Sequence, residues 1–481
     1  MKKILIISAL ALSAVFGTQA KISLPAIISD NMVLQQDCEA RLWGKAAPGE
    51  KIKITASWAP KTPVSVTAGA DGLWSTAIAT PAARMDGQSI TFRGKNTLKV
   101  KNVLVGEVWL CTGQSNMLFP VGDHRKEVRW QTGMADADTQ LTDADYPQIR
   151  FFTVPFVMSP DRALDDCEGR WVACTPETAY DFSAVGFVFG RRLFNELKVP
   201  VGLILAAKGD THAESWMKPE LMQGNPFYDE VYEQFGADKV EKNKKPFRVP
   251  STLWNGMISP VLGYTVAGNI WYQGEANDVR PHKYQAVFTS LIDSWRREWK
   301  QPDMPFYFVQ IAPYRRQPAL LREAQLDTWQ SGLKNIGMVV TTDCGDSLDI
   351  HPRNKVLPGE RLAAWALAKD YGRDDVAFSG PLYRSMRCLP DSTIELCFDY
   401  ADGGLRAPEG EKLHGFEVAG PDRVFVPATV RISGPGKLSV SAPGVAHPVA
   451  VRYGWGTFFR ANLFNGRGLP ASPFRTDRWP Q

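Results

Sequence analysis

"NVLVGEVWLCTGQSNM" (residues 102–117) runs from a continuous apolar segment into small polar residues grouped around one serine. An apolar run without strict alternation reads as a strand buried on both faces, the kind found in parallel sheets. Open parallel sheets bind ligands beyond the carboxyl ends of their strands. Ser115 stands just past such an end. A serine there is either an ordinary helix cap or a hydroxyl presented for nucleophilic chemistry. The segment is not a G-x-S-x-G elbow, because Met117 occupies the second glycine position.

Downstream, apolar runs alternate with helical patterns. "VGFVFGRRLFNELK" (185–198) reads as a helix and "VGLILAA" (201–207) as the second strand. "AGNIWYQG" (267–274) is the third strand, followed by the amphipathic "YQAVFTSLIDSWRREW" (284–299). "PFYFVQIAP" (305–313) and "NIGMVVTTD" (335–343) are the fourth and fifth, separated by the helical "LLREAQLDTWQSGLK" (320–334) and followed by "GERLAAWALAKDYG" (359–372). This alternation predicts an α/β domain over 103–375, with a parallel sheet covered on both faces. The polar stretch 118–180 reads as an elaborated loop over the carboxyl edge. Short alternating runs broken by turn residues predict a β-sandwich-like region over 21–102 and a second β region over 376–481.

The composition sets bounds. The chain has 481 residues, 44% of them hydrophobic and 22% charged, as expected of a folded protein of several domains. A formal net charge of +4 without a basic run argues against nucleic acid as a partner. Residues 1–20 have the form of a signal peptide: Lys2 and Lys3, an apolar core, and "TQA" ending at Ala20. The expected mature protein is exported, periplasmic or secreted, without a membrane anchor. Seven cysteines leave at least one unpaired; Cys167 with Cys174 and Cys388 with Cys397 are pairs close enough in sequence to bridge. Cys111 and Cys344 read as small core residues. No CxxC pair with histidines is present, so no structural zinc is expected.

A serine nucleophile needs a base, and the chain has six histidines. His351, in "DCGDSLDIHPRNK", follows the fifth strand and so shares a sheet edge with Ser115. Asp349 and Asp346 are near enough to orient its ring. His212 and His282 also follow strands and are fallback bases, while His124, His414 and His447 read as structural. Two further strand ends carry donors suited to an oxyanion: Gly209 in "AAKGDTHAESW", and Gln273 and Asn277 in "WYQGEAND". Gln114, Glu275, Arg280 and Arg353 are candidate substrate contacts, the arginines because a guanidinium grips a carboxylate through two hydrogen bonds. Trp216, Trp271 and Tyr272 lie near strand ends as candidate aromatic platforms for a ligand ring.

"GQSNM", "GDTHAESW", "WYQGEAN" and "DIHPRNK", in that order, resemble the four sequence blocks of the SGNH (GDSL-like) hydrolases. They are most similar to the sialate O-acetylesterase branch. The resemblance extends over about residues 21–475, through "LPAIISDNMVLQQ" and "VRPHKYQAVFTSLIDSWR". It implies a flavodoxin-like three-layer α/β/α domain and a serine esterase that needs no metal or other cofactor. The implied substrate is an acetylated carbohydrate, above all an O-acetylated sialic acid. It also implies Ser115 as nucleophile, His351 as base, and Ser115 and Gly209 N–H groups in the oxyanion hole, completed by Gln273 or Asn277. Two positions depart from the family pattern. Leu348 stands where an acid commonly precedes the histidine by three, leaving open a triad through Asp349 or Asp346 or a dyad held by a backbone carbonyl. Asp210 replaces a glycine of the second block. An acetylxylan-type esterase, a lipid esterase and a non-catalytic glycan-binding protein are the other readings.

Overall fold

The computed structural model describes residues 21–239 and 244–480; the leader expected over 1–20 lies outside the described residues. Its centre is a seven-stranded sheet: β1 (Thr97–Gly113), β2 (Tyr146–Thr153), β3 (Trp171–Cys174), β4 (Val201–Ala207), β5 (Gly268–Tyr272), β6 (Phe306–Val309) and β7 (Ile336–Val339). In space the strands run β7, β6, β5, β1, β4, β2, β3. Every neighbouring pair is parallel except the edge pair β2–β3. The five strands β4-β1-β5-β6-β7 have the flavodoxin order, whose ligand crevice opens beside the first strand where the winding reverses.

Side chains of β1 alternate between two layers. Trp109 and Cys111 pack with α1 (Ala184–Leu197) and α4 (Val356–Lys369), and Val108 and Leu110 belong to the cluster that contains α2 (Pro281–Trp299). On the second face Phe288, Trp295, Trp271 and Phe306 are fully buried, each burial contributing about 2–3 kcal/mol. On the first, α1 and α4 approach closely at Gly359, where a Cβ would lie 2.7 Å from Val188 Cβ. A fourth sheet-covering helix, α3 (Ala319–Trp329), separates β6 from β7. The α/β/α architecture therefore follows from the apolar strands and amphipathic helices expected of it.

Two regions differ from expectation. The stretch 118–180 is not only loop: residues 146–153 add a parallel strand and 171–174 an antiparallel edge. Polar residues mask the strand in "YPQIRFFT", although Ile149, Phe151 and Phe152 are buried. Strand β1 also runs unbroken past residue 103. Its first half pairs with Arg84–Arg93 and Val33–Gln35 of the N-terminal β region, its second half with β4 and β5. The C-terminal β region forms two four-stranded antiparallel sheets and a two-stranded one, and is bound to the α/β layers by Arg475–Glu323 (2.7 Å) and Gln310–Ser472 (2.9 Å).

All seven cysteines are free. Cys397 lies opposite Ser385 and Cys388 opposite Ile394, so these two thiols are three register steps apart on neighbouring strands and cannot bridge.

Candidate active site

Strand β1 ends at Gly113 against β5. The φ of Gly113 is +136°, and a Cβ there would sit 2.2 Å from the Tyr272 carbonyl oxygen. Only glycine lets the chain end its strand so close to a neighbour and turn at once into the short helix Ser115–Leu118. That turn places Ser115 at the carboxyl edge. The loop after β7 brings His351 to the same edge. Its Nε2 lies 2.9 Å from Ser115 Oγ, although 236 residues separate the two in sequence. His351 Nδ1 is 3.5 Å from Asp349 Oδ1, and that same oxygen accepts the His351 backbone N–H at 2.9 Å. Asp346 instead accepts the N–H groups of Leu348 and Asp349 and shapes the loop. Of the two acids, Asp349 is the one beside the imidazole.

The indole of Trp130 stacks on the His351 ring, centroids 4.7 Å apart, with Phe119 behind at 6.4 Å. Gly209 passes directly over the serine: a Cβ on it would be 3.3 Å from Ser115 Cβ. The N–H of Ser115, first in its helix, has no acceptor within that helix. No backbone acceptor takes the Gly209 N–H among the described residues.

Beneath this pair lies a buried polar network. Asn116 donates to Glu275 Oε1 (2.5 Å) and to the Ile350 carbonyl (3.1 Å), and accepts from Lys355 Nζ (2.5 Å). The residue after the serine is thus tied to the residue before the histidine. Lys355 is fully buried, its ammonium over the rings of Phe119 (4.7 Å) and Tyr272 (5.5 Å). Burial lowers its pKa to about 7 and raises that of Glu275. Burial, and then the Lys355 charge, lower the His351 pKa to about 4, against the opposing pull of Asp349. At neutral pH the imidazole is neutral and Nε2 is free to accept a proton.

Residues 105–368, more than half of the chain, match the family model for carbohydrate esterase, sialic acid-specific acetylesterase. The chain belongs to this family. It is therefore a carboxylic ester hydrolase that removes O-acetyl groups from carbohydrates. The esterase is similar to a carbohydrate acetylesterase from Xanthomonas citri, with a TM-score of 0.84 and 33% identity over 95% of this chain and 100% of that one. It is 28% identical to the sialate O-acetylesterase of Mus musculus, over 77% of this chain and 78% of the relative. With the sialate O-acetylesterase of Homo sapiens it shares 27% identity over 93% of this chain and 91% of that one.

Several residues expected at the crevice of the esterase have other work. Gln273 donates to the Thr211 carbonyl and to Asn277 Oδ1, and takes the Tyr284 hydroxyl. Asn277 donates to Glu214 and accepts the Ala213 N–H. Both amides brace the loops after β4 and β5; Gln273 spends both of its N–H groups there, whereas Asn277 spends one, on Glu214. Glu275 is buried under the site, bonded to Asn116. Arg280 is 2% exposed and held by Glu214 (3.3 Å) and Gln234 (3.0 Å), an internal ion pair rather than a substrate contact. Arg353 is exposed but bonds the Gly133 and Met134 carbonyls, fixing the loop that carries Trp130. Asp210 turns its carboxylate to Arg248 and Lys245 (2.8 Å) and away from the serine. Gln114 is different: its Oε1 takes the Ala276 N–H at 3.5 Å, and its amide nitrogen has no acceptor among the described residues.

The fallback bases are elsewhere. His212 is buried beside Arg280, with its pKa lowered to about 2 by burial and neighbouring cations. His282 is exposed in the first turn of α2. Trp216, Trp271 and Tyr272 are core residues. Sequence reading missed Trp130 and Lys355. Trp130 lies in a polar loop with no periodic signal, and only its approach to His351 reveals it. Lys355 was visible as the last residue of "DIHPRNK", but nothing in the sequence shows that it is buried.

Proposed function

We propose that the esterase acts on O-acetylated sialic acids through an acetyl-enzyme on Ser115. The observation that carries this reading is the 2.9 Å contact between Ser115 Oγ and the neutral His351 imidazole at the switch point of the sheet. Ser115 Oγ attacks the acetyl carbonyl as His351 Nε2 takes its proton. The carbonyl oxygen becomes an oxyanion facing the Ser115 and Gly209 N–H groups, with the Gln114 amide the side-chain donor nearest to hand in sequence and unengaged. Collapse of the tetrahedral intermediate breaks the bond to the sugar oxygen, which receives the proton from His351. The acetyl group remains on Ser115. Water then gives a proton to His351 and adds to the acetyl carbonyl; acetate leaves and Ser115 regains its hydrogen. Asp349 stabilises the transient imidazolium.

Sialic acid as the sugar is supported by the family description and by the relatives named above. The leader over 1–20 supports export, with cleavage after Ala20 and a periplasmic or secreted mature form. Acetate release from O-acetylated N-acetylneuraminic acid, compared with release from acetylated xylan at equal acetyl content, tests the substrate. A clear preference for xylan would replace this reading with an acetylxylan esterase.

A further inference from the structure

A second cavity, of ≈ 910 Å³, lies in the N-terminal β region, and none of the active-site residues lines it. Its floor is the strand Glu39–Lys45, paired with Leu73–Ala79. Alternate residues of a strand share a face. Here that face presents Arg41, Trp43 and Lys45, with Leu73 and Ser75 across from them. On a plain solvent face this would be an unremarked mixture of side chains. Instead the loop carrying Leu164, Asp165 and Asp166, with Ser259 and Leu262, walls it in.

Among the described residues the charges of this cavity are partnered with one exception. Lys45 pairs with Asp165 at 2.5 Å, Asp166 accepts the Ala26 and Cys167 N–H groups, and Asp71 accepts the Leu73 N–H. Arg41 rests its guanidinium on Gly263, where a Cβ would come within 3.0 Å of Nη1. Among the described residues Arg41 makes a hydrogen bond only through its backbone N–H, to Thr265, and has no ion pair. Trp43 is half-buried, edge-on to Tyr264, and its indole makes no hydrogen bond among the described residues. Trp74, opposite Gly44, turns its ring to the other face, against Phe92. A walled cleft with an unengaged guanidinium and an accessible indole beside it is built to receive something. The guanidinium asks for a planar anion, and the indole for an apolar ring face with hydroxyls at its edge.

We propose that this cleft is a non-catalytic binding site for a carboxylate-bearing saccharide, the carboxylate on Arg41 and the pyranose against Trp43. It is separate from the crevice of Ser115 and would hold a sialylated glycan. The choice of a sialylated probe rests on the proposed substrate class; the existence of the site does not.

The test uses the full chain and measures binding of sialyllactose, with lactose as the uncharged control, by calorimetry and ligand-observed NMR. The Ser115→Ala background prevents turnover. Loss of a charge-assisted pair predicts roughly 10–100-fold weaker sialyllactose binding to this site in Arg41→Ala. Trp43→Ala should weaken it as well, and lactose should show no saturable binding. In the wild-type background both variants should hydrolyse para-nitrophenyl acetate at the parent rate, which establishes that they are folded. Undiminished sialyllactose binding in both variants would overturn the proposal, and equal binding of lactose would overturn the carboxylate assignment. If a variant loses its esterase activity, a wild-type crystal soaked in sialyllactose decides: density on Arg41 supports the site, and its absence there refutes it. An esterase that fails on O-acetylated sialic acids but binds sialyllactose through Arg41 would refute only the substrate reading.

Discussion

Lys355→Met removes one atom group from beneath the active site and leaves most of the apolar stem in place. Lys355 Nζ donates to Asn116 Oδ1 at 2.5 Å, and Asn116 in turn holds Glu275 and the carbonyl next to His351. The variant leaves a buried amide oxygen without its donor, a cost of about 1–3 kcal/mol. It also leaves Glu275 buried without its cation, so that the carboxyl takes up a proton more readily. The diagnostic effect is on His351. The Lys355 charge is the second cause, after burial, of a His351 pKa near 4. Without that charge the pKa rises towards the ordinary 6.5. The active form carries a neutral imidazole, so the acid limb of kcat/KM, near pH 4 in the parent, moves up into the interval between about 4 and 6.5. Loosening of the Asn116 tie should also lower kcat at pH 7, since a displacement of about 1 Å costs on the order of 10²-fold. The assay is a pH–rate profile on para-nitrophenyl acetate, with folding checked by circular dichroism. A folded variant whose acid limb stays put or moves down would refute the electrostatic link from Lys355 to His351.

Other substitutions probe separate parts of the site. Asp349→Asn should move the acid limb in the opposite direction, downwards, and lower kcat by less than about 10²-fold, because the carboxylate is 3.5 Å from Nδ1 and partly solvated. Asp346→Asn, which leaves an oxygen for the same loop N–H groups, should leave the limb in place; a shift equal to that of Asp349→Asn would reverse the roles of the two acids. Gly209→Ala brings a methyl to 3.3 Å from Ser115 Cβ and should reduce kcat by up to about 10²–10³-fold with KM little changed, if the Gly209 N–H serves the oxyanion. Gly113→Ala demands a rare φ and a clash with the Tyr272 carbonyl; a thermal melt should show a lower midpoint, and an unchanged midpoint would mean that β1 can end in another way.

The sheet was legible because its signals are local. Val201–Ala207 is a strand over the very residues of its apolar run, and the helix expected over 284–299 is extended only by its first turn, to Pro281. Proline at that first helical position needs no hydrogen-bonded N–H, so the start was missed for lack of an apolar marker rather than for any conflict. The meeting of Ser115 and His351 was legible as well, since both follow strands of one parallel sheet and such strands end at one edge. What could not be read was the allocation of amide donors. Gln273, Asn277 and Gln114 carry the same chemistry in similar places. Only the fold shows that the first two hold Thr211, Ala213 and Glu214 while the third has no acceptor for its N–H groups among the described residues. Burial of Arg280 was hidden for a related reason: its partners Glu214 and Gln234 come from distant segments.

In the proposed mechanism the Ser115 hydroxyl becomes acetylated during turnover. Acid-quenching the wild-type protein with O-acetylated N-acetylneuraminic acid in the steady state, followed by peptide mass mapping, tests it directly. An acetyl group on the peptide containing Ser115, absent from Ser115→Ala together with acetate release, is the predicted result. Acetate release at the parent rate from Ser115→Ala, or acetyl trapped on a different residue, would contradict it.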